Sequence, residues 1–168
     1  MSNSLVPMKA GNAHVGERGE LIQLVSFSLD NEEYGVDVLK VREIIRMPVI
    51  TRVPNTPHYV QGVINLRGKV IPIIFMRTRF GLASAGHDKR TRIMVMDVSG
   101  DLMGFVVDAV SEVIRISSSE IQPSPAIMTS GIDQECISGV INQAERLLVL
   151  LNLENMFSPE ERQCFNRL

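Results

Sequence analysis

The chain has little of the material from which catalytic and metal sites are commonly built. Its 168 residues include no tryptophan, two tyrosines, two cysteines and three histidines. Neither Cys136 nor Cys164 stands in a CxxC motif or at a cysteine–histidine spacing, which argues against a metal site. Two reduced thiols are the simpler interpretation. We therefore expect no bound metal and no cofactor.

The sequence also lacks a strong net charge and a long apolar run. Its formal net charge is −2, which argues against a nucleic-acid-binding or membrane-binding surface. The densest basic cluster, Lys89, Arg90 and Arg92, has no interleaved aromatic residues to stack bases, so a solvated loop is the favoured interpretation. No run approaches the roughly 20 apolar residues of a membrane span, and residues 1–20 lack the apolar centre of a signal peptide. A cytoplasmic location and no direct membrane insertion are predicted.

No group of residues forms a catalytic motif. The histidines, His14, His58 and His87, are scattered, and none stands in a GxSxG or HExxH motif. The segment from Asn65 to Lys69 lacks the second glycine and the helix start of a phosphate-binding loop. We therefore expect a protein that is not an enzyme.

Short strands joined by turns make up most of the remaining sequence. Alternating apolar residues from Val25 to Leu29 predict a strand with one buried face. Hairpins are predicted around Arg67-Gly68, Ser99-Gly100-Asp101 and the polar turn from Asn142 to Arg146. Numerous short strands without long strand–helix units indicate a β-barrel or a β-sandwich, and argue against a doubly wound nucleotide-binding fold.

Helices are predicted only at junctions and at the end of the chain. Asp37 can cap a short helix whose apolar residues fall at helical spacing, Val38, Val41 and Ile45. Thr56-Pro57 can begin another, which Gly62 would close. Ser158-Pro159 begins a third, predicted over 158–168. The composition of residues 1–19 predicts a flexible tail.

Several segments, in order, resemble the CheW family of chemotaxis coupling proteins between about Leu21 and Phe157. They are Leu24–Leu29, Glu32–Val38, Lys40–Ile44, Pro54–Pro57, Gly62–Pro72, Arg79–Gly81 and Gly104–Val113. The resemblance implies a mainly β fold in which two small five-stranded β-barrel subdomains share a hydrophobic core, with short helices and a C-terminal helix. The domain would span 20–157, and its barrels need not be continuous in sequence.

The resemblance also implies a function without catalysis. Proteins of this family couple the cytoplasmic tips of chemoreceptors to the regulatory domain of a CheA-type histidine kinase. We accordingly expect two protein partners, a receptor tip and a kinase domain, with no nucleic acid. A monomer in isolation is expected to join receptor arrays at the inner face of the membrane.

Five residues match positions that the family uses near its receptor-binding groove. They are Val41, Glu43, Arg67, Val110 and Val113. Of these, Glu43 and Arg67 match a charged pair.

A second site is implied in the loop from Gln122 to Ile127, which matches a kinase-facing segment of the family. Gln122, Pro123 and Ile127 are the predicted contact residues. Gln122 and Ile127 stand where a basic and an aromatic residue are frequent, so this chain departs from the family's pattern at both positions. Phe75 stands where the family commonly has aspartate, and no role is assigned to it.

Three alternatives remain at the level of the sequence. One is an adaptor of another chemosensory pathway, for pilus motility or second-messenger control. Another is a small β-barrel enzyme or ligand-binding domain, which a deep polar pocket with a perturbed acid or base would favour. The third is a nucleic-acid-binding barrel, for which salt-sensitive binding would be expected.

Overall fold

A computed structural model describes residues 19–123 and 136–166, and strands are its main elements. Eleven strands are found in these ranges: β1 Leu21–Leu29, β2 Glu32–Asp37, β3 Val41–Arg46, β4 Val60–Leu66, β5 Lys69–Phe75, β6 Arg92–Val98, β7 Asp101–Val107, β8 Ala109–Ser117, β9 Ile121–Gln122, β10 Ile137–Gln143 and β11 Arg146–Leu151. Two α-helices are present, α1 Met76–Arg79 and α2 Pro159–Asn166. The predicted mainly β fold is confirmed.

The strands form two sheets that interleave along the chain. One sheet has six strands in the order β8-β1-β2-β11-β10-β9, one more than the five predicted, because the short strand β9 adds to its edge. The other has the predicted five strands, in the order β3-β6-β7-β5-β4. We call the first barrel A and the second barrel B. All of barrel B therefore lies between β2 and β8 of barrel A in sequence, and barrel A is discontinuous.

Both sheets curl until their edge strands approach each other. In barrel A, the edge strands β8 and β9 are separated only by the 3₁₀ turn Ser118–Glu120. In barrel B, Thr51 pairs with Val63 of β4 through backbone hydrogen bonds of 2.9 and 2.8 Å. Because Thr51 follows β3, this bridge joins the two edges of the sheet.

Each barrel has its own apolar interior, and a third core lies between the barrels. The interior of barrel A contains Leu24, Ile116, Ile141, Leu148 and Leu150. The interior of barrel B contains Ile64, Ile71, Ile73, Ile93, Val95 and Val106. Alternate residues of the same strands face the opposite way and form the shared core, among them Val25, Phe27, Met94 and Phe105. The predicted shared core is thus confirmed.

This arrangement corrects the prediction that β1 has only one buried face. Val25, Phe27 and Leu29 face the shared core, whereas Leu24 faces the interior of barrel A. Ser26 is also fully buried, and its hydroxyl donates to the Glu112 carbonyl at 3.1 Å. Ser26 therefore does not mark a solvent-facing side.

The three predicted hairpins are confirmed, and each uses a two-residue turn. Ser99 and Gly100 have φ angles of 53° and 92°, and Ala144 and Glu145 have φ angles of 46° and 66°. Two successive residues with positive φ are what a type I′ turn requires, and its twist matches that of the strands it joins.

The predicted helix after Asp37 is wrong. Asp37 does cap the chain, since its carboxylate accepts from the Leu39 N–H at 2.9 Å, but the helix is a single 3₁₀ turn over Val38–Lys40. From Val41 the chain forms β3, in which exposure alternates with a period of two. The β-branched residues that weaken a helix here favour a strand.

The helix predicted from Thr56 to Gly62 is also absent. The segment forms a turn and then enters β4, which already contains Gly62. A Cβ on Gly62, whose φ is 153°, would lie 2.2 Å from the Thr51 carbonyl oxygen. Gly62 is therefore needed for the bridge that closes barrel B, and it does not end a helix.

The predicted C-terminal helix is confirmed as α2 over its described residues. Glu161 and Ser158 form the reciprocal bonds of a capping box, at 2.9 and 3.2 Å. Phe165 of α2 packs into the shared core, where its ring meets Phe157 edge-on at 5.0 Å. Tyr59 donates a hydrogen bond to Glu161, so α2 is tied to the start of β4 as well.

Two further sequence expectations bear on the fold. Within the described ranges, no helix has the length and apolar character needed to cross a bilayer. Among the described residues, Cys136 and Cys164 form no disulfide; Cys136 is buried and Cys164 is half-buried.

Candidate partner-docking surface

The structure brings together two of the predicted receptor-facing residues, Glu43 and Arg67. Glu43 lies within β3, and Arg67 lies in the turn between β4 and β5. The Arg67 guanidinium contacts the Glu43 carboxylate at 2.6 Å. Because β3 and β4 are the edge strands of barrel B, this ion pair crosses the seam where the barrel closes.

Local backbone chemistry fixes the turn that carries Arg67. Arg67 and Gly68 have φ angles of 50° and 86°, as a type I′ turn requires. The Gly68 N–H donates to the Asn65 side-chain oxygen at 2.9 Å, which is a common stabiliser of such turns. The turn thus presents an Arg67 side chain that is 73% exposed.

The ion pair sets the charge of this surface. The hydrogen bond from Arg67 lowers the pKa of Glu43 below its ordinary value, so the carboxylate is ionised at neutral pH. Since Arg67 is largely exposed and Glu43 is partly exposed, the pair contributes little to folding stability. The charge of Arg67 remains accessible to a partner that carries a complementary group.

The other predicted residue of barrel B, Val41, has a mainly structural position. It begins β3 and packs, half-buried, against the shared core. The outer side of the same strand exposes Ile44, whose residue surface is 41% accessible. The sequence analysis missed Ile44 because it interpreted this segment as a helix, and the strand period of two would have identified it.

Val110 and Val113 lie on β8, the edge strand of barrel A. Val110 packs against the shared core, while Val113 is 55% exposed. A register shift against β1 places Ser111 as an extra residue between Val110 and Glu112, and such a bulge re-aims the side chains beside it. Of the two valines, Val113 offers the larger apolar surface to a partner.

The predicted kinase-facing loop is described only at its start. Gln122 ends the short strand β9, which pairs with Val140 of β10, and Pro123 follows it; both are exposed. Ile127 lies outside the described residues. Gly139 permits the pairing of β9 with β10, since a Cβ at Gly139 would lie 2.6 Å from the Gln122 carbonyl oxygen.

An ion-pair cluster that the sequence analysis missed links the two barrels. Arg77 of α1 donates two hydrogen bonds to the Asp108 carboxylate, at 2.9 and 2.7 Å. Asp108 lies between β7 and β8, and its carboxylate also accepts from the Asp30 N–H of barrel A at 2.9 Å. Arg77 lowers the pKa of Asp108. Nothing local in the sequence signals this contact, because 31 residues separate Arg77 from Asp108.

The described carboxylates do not resemble a general acid. Five of those in the described ranges have altered pKa values, and in each the pKa is lowered: Glu43, Asp88, Asp97, Asp108 and Glu161. Arginine side chains, backbone N–H groups or a hydroxyl donate to these carboxylates and favour the charged form. A catalytic acid would instead require a raised pKa. In the part of the chain that the structure describes, no cluster of three His, Cys, Asp or Glu residues could hold a metal ion.

Comparison with known proteins places this geometry in a family. The CheW-like domain family matches residues 23–161. The chain belongs to the CheW-like family. The match extends across both barrels and into α2, in agreement with the resemblance between Leu21 and Phe157.

Individual relatives match most of this chain along most of their own length. The chemotaxis protein CheW of Klebsiella aerogenes is 37% identical over 155 residues, which cover 90% of this chain and 93% of that protein. The CheW of Helicobacter pylori is 36% identical over 141 residues, covering 84% of each. The crystal structure of scaffolding protein TtCheW from Thermoanaerobacter tengcongensis matches this fold with a TM-score of 0.78 and a sequence identity of 36%. The match covers 84% of this chain and 96% of that one.

Proposed function

We propose that this protein is a non-enzymatic chemotaxis adaptor that couples the cytoplasmic tip of a chemoreceptor to the regulatory domain of a CheA-type histidine kinase. Its membership of the CheW-like family carries the proposal. The structure adds an exposed, conformationally fixed turn at Arg67 and apolar residues such as Ile44 and Val113 on the outer surface. Mixed apolar and charged surfaces of this kind suit specific interfaces of modest affinity.

The receptor-facing surface is proposed to comprise Val41, Glu43, Arg67, Val110 and Val113. Arg67 and Val113 would make direct contacts, because their side chains are exposed. Val41 and Val110 would act by fixing the strands β3 and β8, since both pack against the shared core. Glu43 would orient Arg67 through their ion pair.

The kinase-facing surface is proposed to include Gln122, Pro123 and Ile127. Gln122 and Pro123 support it by being exposed beside the short edge strand β9. In this proposal the protein is cytoplasmic, a monomer when alone, and recruited to the membrane through its partners. Signalling would then depend on how each partner biases the arrangement of the other.

The test is binding of the purified protein to a CheA regulatory domain and to a receptor cytoplasmic fragment, measured by calorimetry. Binding of each at tens of micromolar or tighter is expected. If the protein bound neither partner at those concentrations, the proposal would be wrong.

The role of Arg67 is tested with Arg67→Glu, which is expected to weaken partner binding without unfolding the protein. Arg90→Glu is a matched control, because the side chain of Arg90 is 75% exposed and that of Arg67 is 73% exposed. Arg90 lies beyond the opposite end of barrel B from Arg67. A large drop in Tm for Arg67→Glu would instead show that Arg67 is structural.

A further inference from the structure

One end of barrel B gathers basic side chains that are distant in sequence. In the sheet, Arg46 at the end of β3 is paired directly with Arg92 at the start of β6. Arg92 is next to Val107, and the parallel strand β5 places Phe75 beside Val106. The strand ends therefore align at a single end of the barrel, opposite the Arg67 turn.

The loops at this end add further cations. Arg52 and His58 lie in the loop that leads into β4, and Lys89 lies in the loop that leads into β6; all three are exposed. We call Arg46, Arg52, His58, His87, Lys89 and Arg92 the basic end.

The charges of the basic end are not neutralised within the described chain. Among the described residues, no carboxylate lies within ion-pair distance of Arg46, Arg52, Lys89 or Arg92. The acids nearby are already engaged: Asp88 with Arg90, and Asp108 with Arg77. By contrast, Arg42, Arg77 and Arg146 each have a carboxylate within 3.0 Å.

The Arg46–Arg92 pair has an energetic consequence. Like charges directly opposite each other on adjacent strands destabilise a sheet. This local repulsion between like charges is present although the chain as a whole has a net charge of −2. The Arg92 guanidinium donates hydrogen bonds to the carbonyl oxygens of Lys89 and Thr91, at 2.7 and 2.8 Å, which keeps its charge at this end of the barrel. An anionic group bound beside the Arg46–Arg92 pair would relieve the repulsion.

A groove of about 670 Å³ lies beside these charges and has an apolar part. Arg52 and His58 line it together with Val53, Pro54, Pro57 and Phe75. The Phe75 ring meets the ring of His87 at 6.0 Å, which connects the groove to the loop of Lys89. No carboxylate is among the described residues that line the groove.

The groove is held in shape by its own hydrogen bonds. The Val60 N–H donates to the Pro57 carbonyl at 2.9 Å, and the Thr56 hydroxyl donates to the Val53 carbonyl at 3.1 Å. The Thr51–Val63 bridge fixes the start of the loop. A preformed groove loses little conformational entropy when it binds a partner.

We propose that the basic end is a docking surface for an acidic protein segment that carries an apolar side chain between its carboxylates. The juxtaposition of Arg46, Arg52 and Arg92 with the apolar groove at Phe75 fits such a segment. The carboxylates would pair with the arginines, and the apolar side chain would pack on Phe75 and the prolines. The surface lies at the end of barrel B away from Arg67, so it adds a contact beyond the proposed receptor and kinase surfaces.

A protein segment fits this end better than a nucleic acid does. A nucleic acid would need several aromatic faces for its bases. Phe75 is the only phenylalanine, tyrosine or tryptophan among the described residues that line the groove, and it is already half-buried.

The test uses two short fluorescein-labelled peptides, one with Asp and Glu residues flanking a central Leu, and one with Ser in place of Leu. Anisotropy is expected to show salt-sensitive binding of both, with the Leu peptide bound roughly tenfold more tightly. The double variant Arg46→Glu/Arg52→Glu is expected to bind both peptides about tenfold more weakly, or weaker still. The control Lys69→Glu/Arg115→Glu makes the same charge change at exposed sites elsewhere and is expected to bind as the wild type does.

Phe75→Ala is expected to abolish the preference for the Leu peptide while retaining the salt-sensitive part of binding. Because Phe75 also packs on the interior of barrel B, Phe75→Leu serves as a second variant that keeps this packing but removes the ring contact with His87. Circular dichroism checks that each variant is folded. Absence of peptide binding, equal binding by the Arg46→Glu/Arg52→Glu variant, or tighter binding of single-stranded DNA or of phosphatidylserine vesicles would overturn the proposal.

Discussion

The barrel interiors and the core shared between the barrels are built from different side chains. The described interiors contain only Ile, Val and Leu as their buried residues. The shared core contains every buried methionine of the described chain, Met76, Met94, Met96, Met103 and Met156, and every buried aromatic residue, Phe27, Tyr34, Tyr59, Phe80, Phe105, Phe157 and Phe165.

From this difference we expect the barrel interiors to be more rigid than the shared core. Branched residues have few rotamers and fix the curvature of each barrel. Methionine is unbranched and can fill a changing space at little cost. A protein whose partners act on two barrels would benefit from rigid barrels and an adaptable contact between them.

The largest expected effect contrasts alanine substitutions in the two kinds of core. Ile73→Ala, in the interior of barrel B, is expected to destabilise the protein by about 3–5 kcal/mol, because rigid neighbours cannot fill the cavity. Met94→Ala, in the shared core, is expected to cost about 2–3 kcal/mol because neighbouring methionines can move into the space. Urea unfolding followed by circular dichroism measures both.

Val70→Ala is the control for that pair, since Val70 is 57% exposed, and its effect should stay within about 0.5 kcal/mol. Equal losses for Ile73→Ala and Met94→Ala would show that the two cores are equally rigid.

The second prediction tests how tightly the interior of barrel B is packed around Gly104. A Cβ at Gly104 would lie 2.6 Å from Ile73 Cδ1 and 2.8 Å from Ile93 Cγ2, so Gly104→Ala is expected to cost about 1–3 kcal/mol. Ile73→Val removes the Cδ1 atom and should partly relieve this clash. A double-mutant cycle should therefore give a favourable coupling free energy of about 1 kcal/mol. If the losses of stability from Gly104→Ala and Ile73→Val simply added in the double variant, the interior of barrel B would adjust as easily as the shared core.

The third prediction concerns the ion pair that holds the barrels across the adaptable core. Asp108→Asn is expected to lower the free energy of unfolding by about 1–2 kcal/mol near neutral pH. This loss lies between those expected for breaking an exposed ion pair and a buried one. Because Arg77 lowers the pKa of Asp108 below the reference value of 3.8, the contribution is complete above that pH and is lost as the pH falls through the lowered pKa.

The stability difference between the wild type and Asp108→Asn should therefore shrink in acid, which urea unfolding over a pH series can follow. Asp101→Asn is a suitable control, because its carboxylate is half-exposed and lies 3.6 Å from Arg162. A difference that stays constant with pH would show that the Asp108 charge has no part in joining the barrels.

The smallest expected effect comes from changes of shape at constant volume. Met94→Leu should cost about 0.5 kcal/mol or less, whereas Ile73→Leu should cost about 1–1.5 kcal/mol, since only the shared core can repack. Thermal unfolding of the two variants side by side measures the contrast. A greater loss for Met94→Leu would reverse the assignment of rigid and adaptable cores.

The sequence by itself determined the hairpins and the family. A two-residue turn such as Arg67-Gly68 is set by local φ preferences, and the alternation of strand residues is visible in any window of a few residues. The order of the motifs from Leu24 to Val113 was sufficient to predict the mainly β fold with two barrels.

Only the tertiary structure decided which distant residues meet. The segment after Asp37 has apolar spacings compatible with a helix or a strand, and it forms β3 because Val41–Arg46 gains a ladder of hydrogen bonds with β6. The closure of barrel B pairs Glu43 with Arg67, and strand register sets Arg46 opposite Arg92. Such contacts depend on chain closure over tens of residues, which no local propensity encodes.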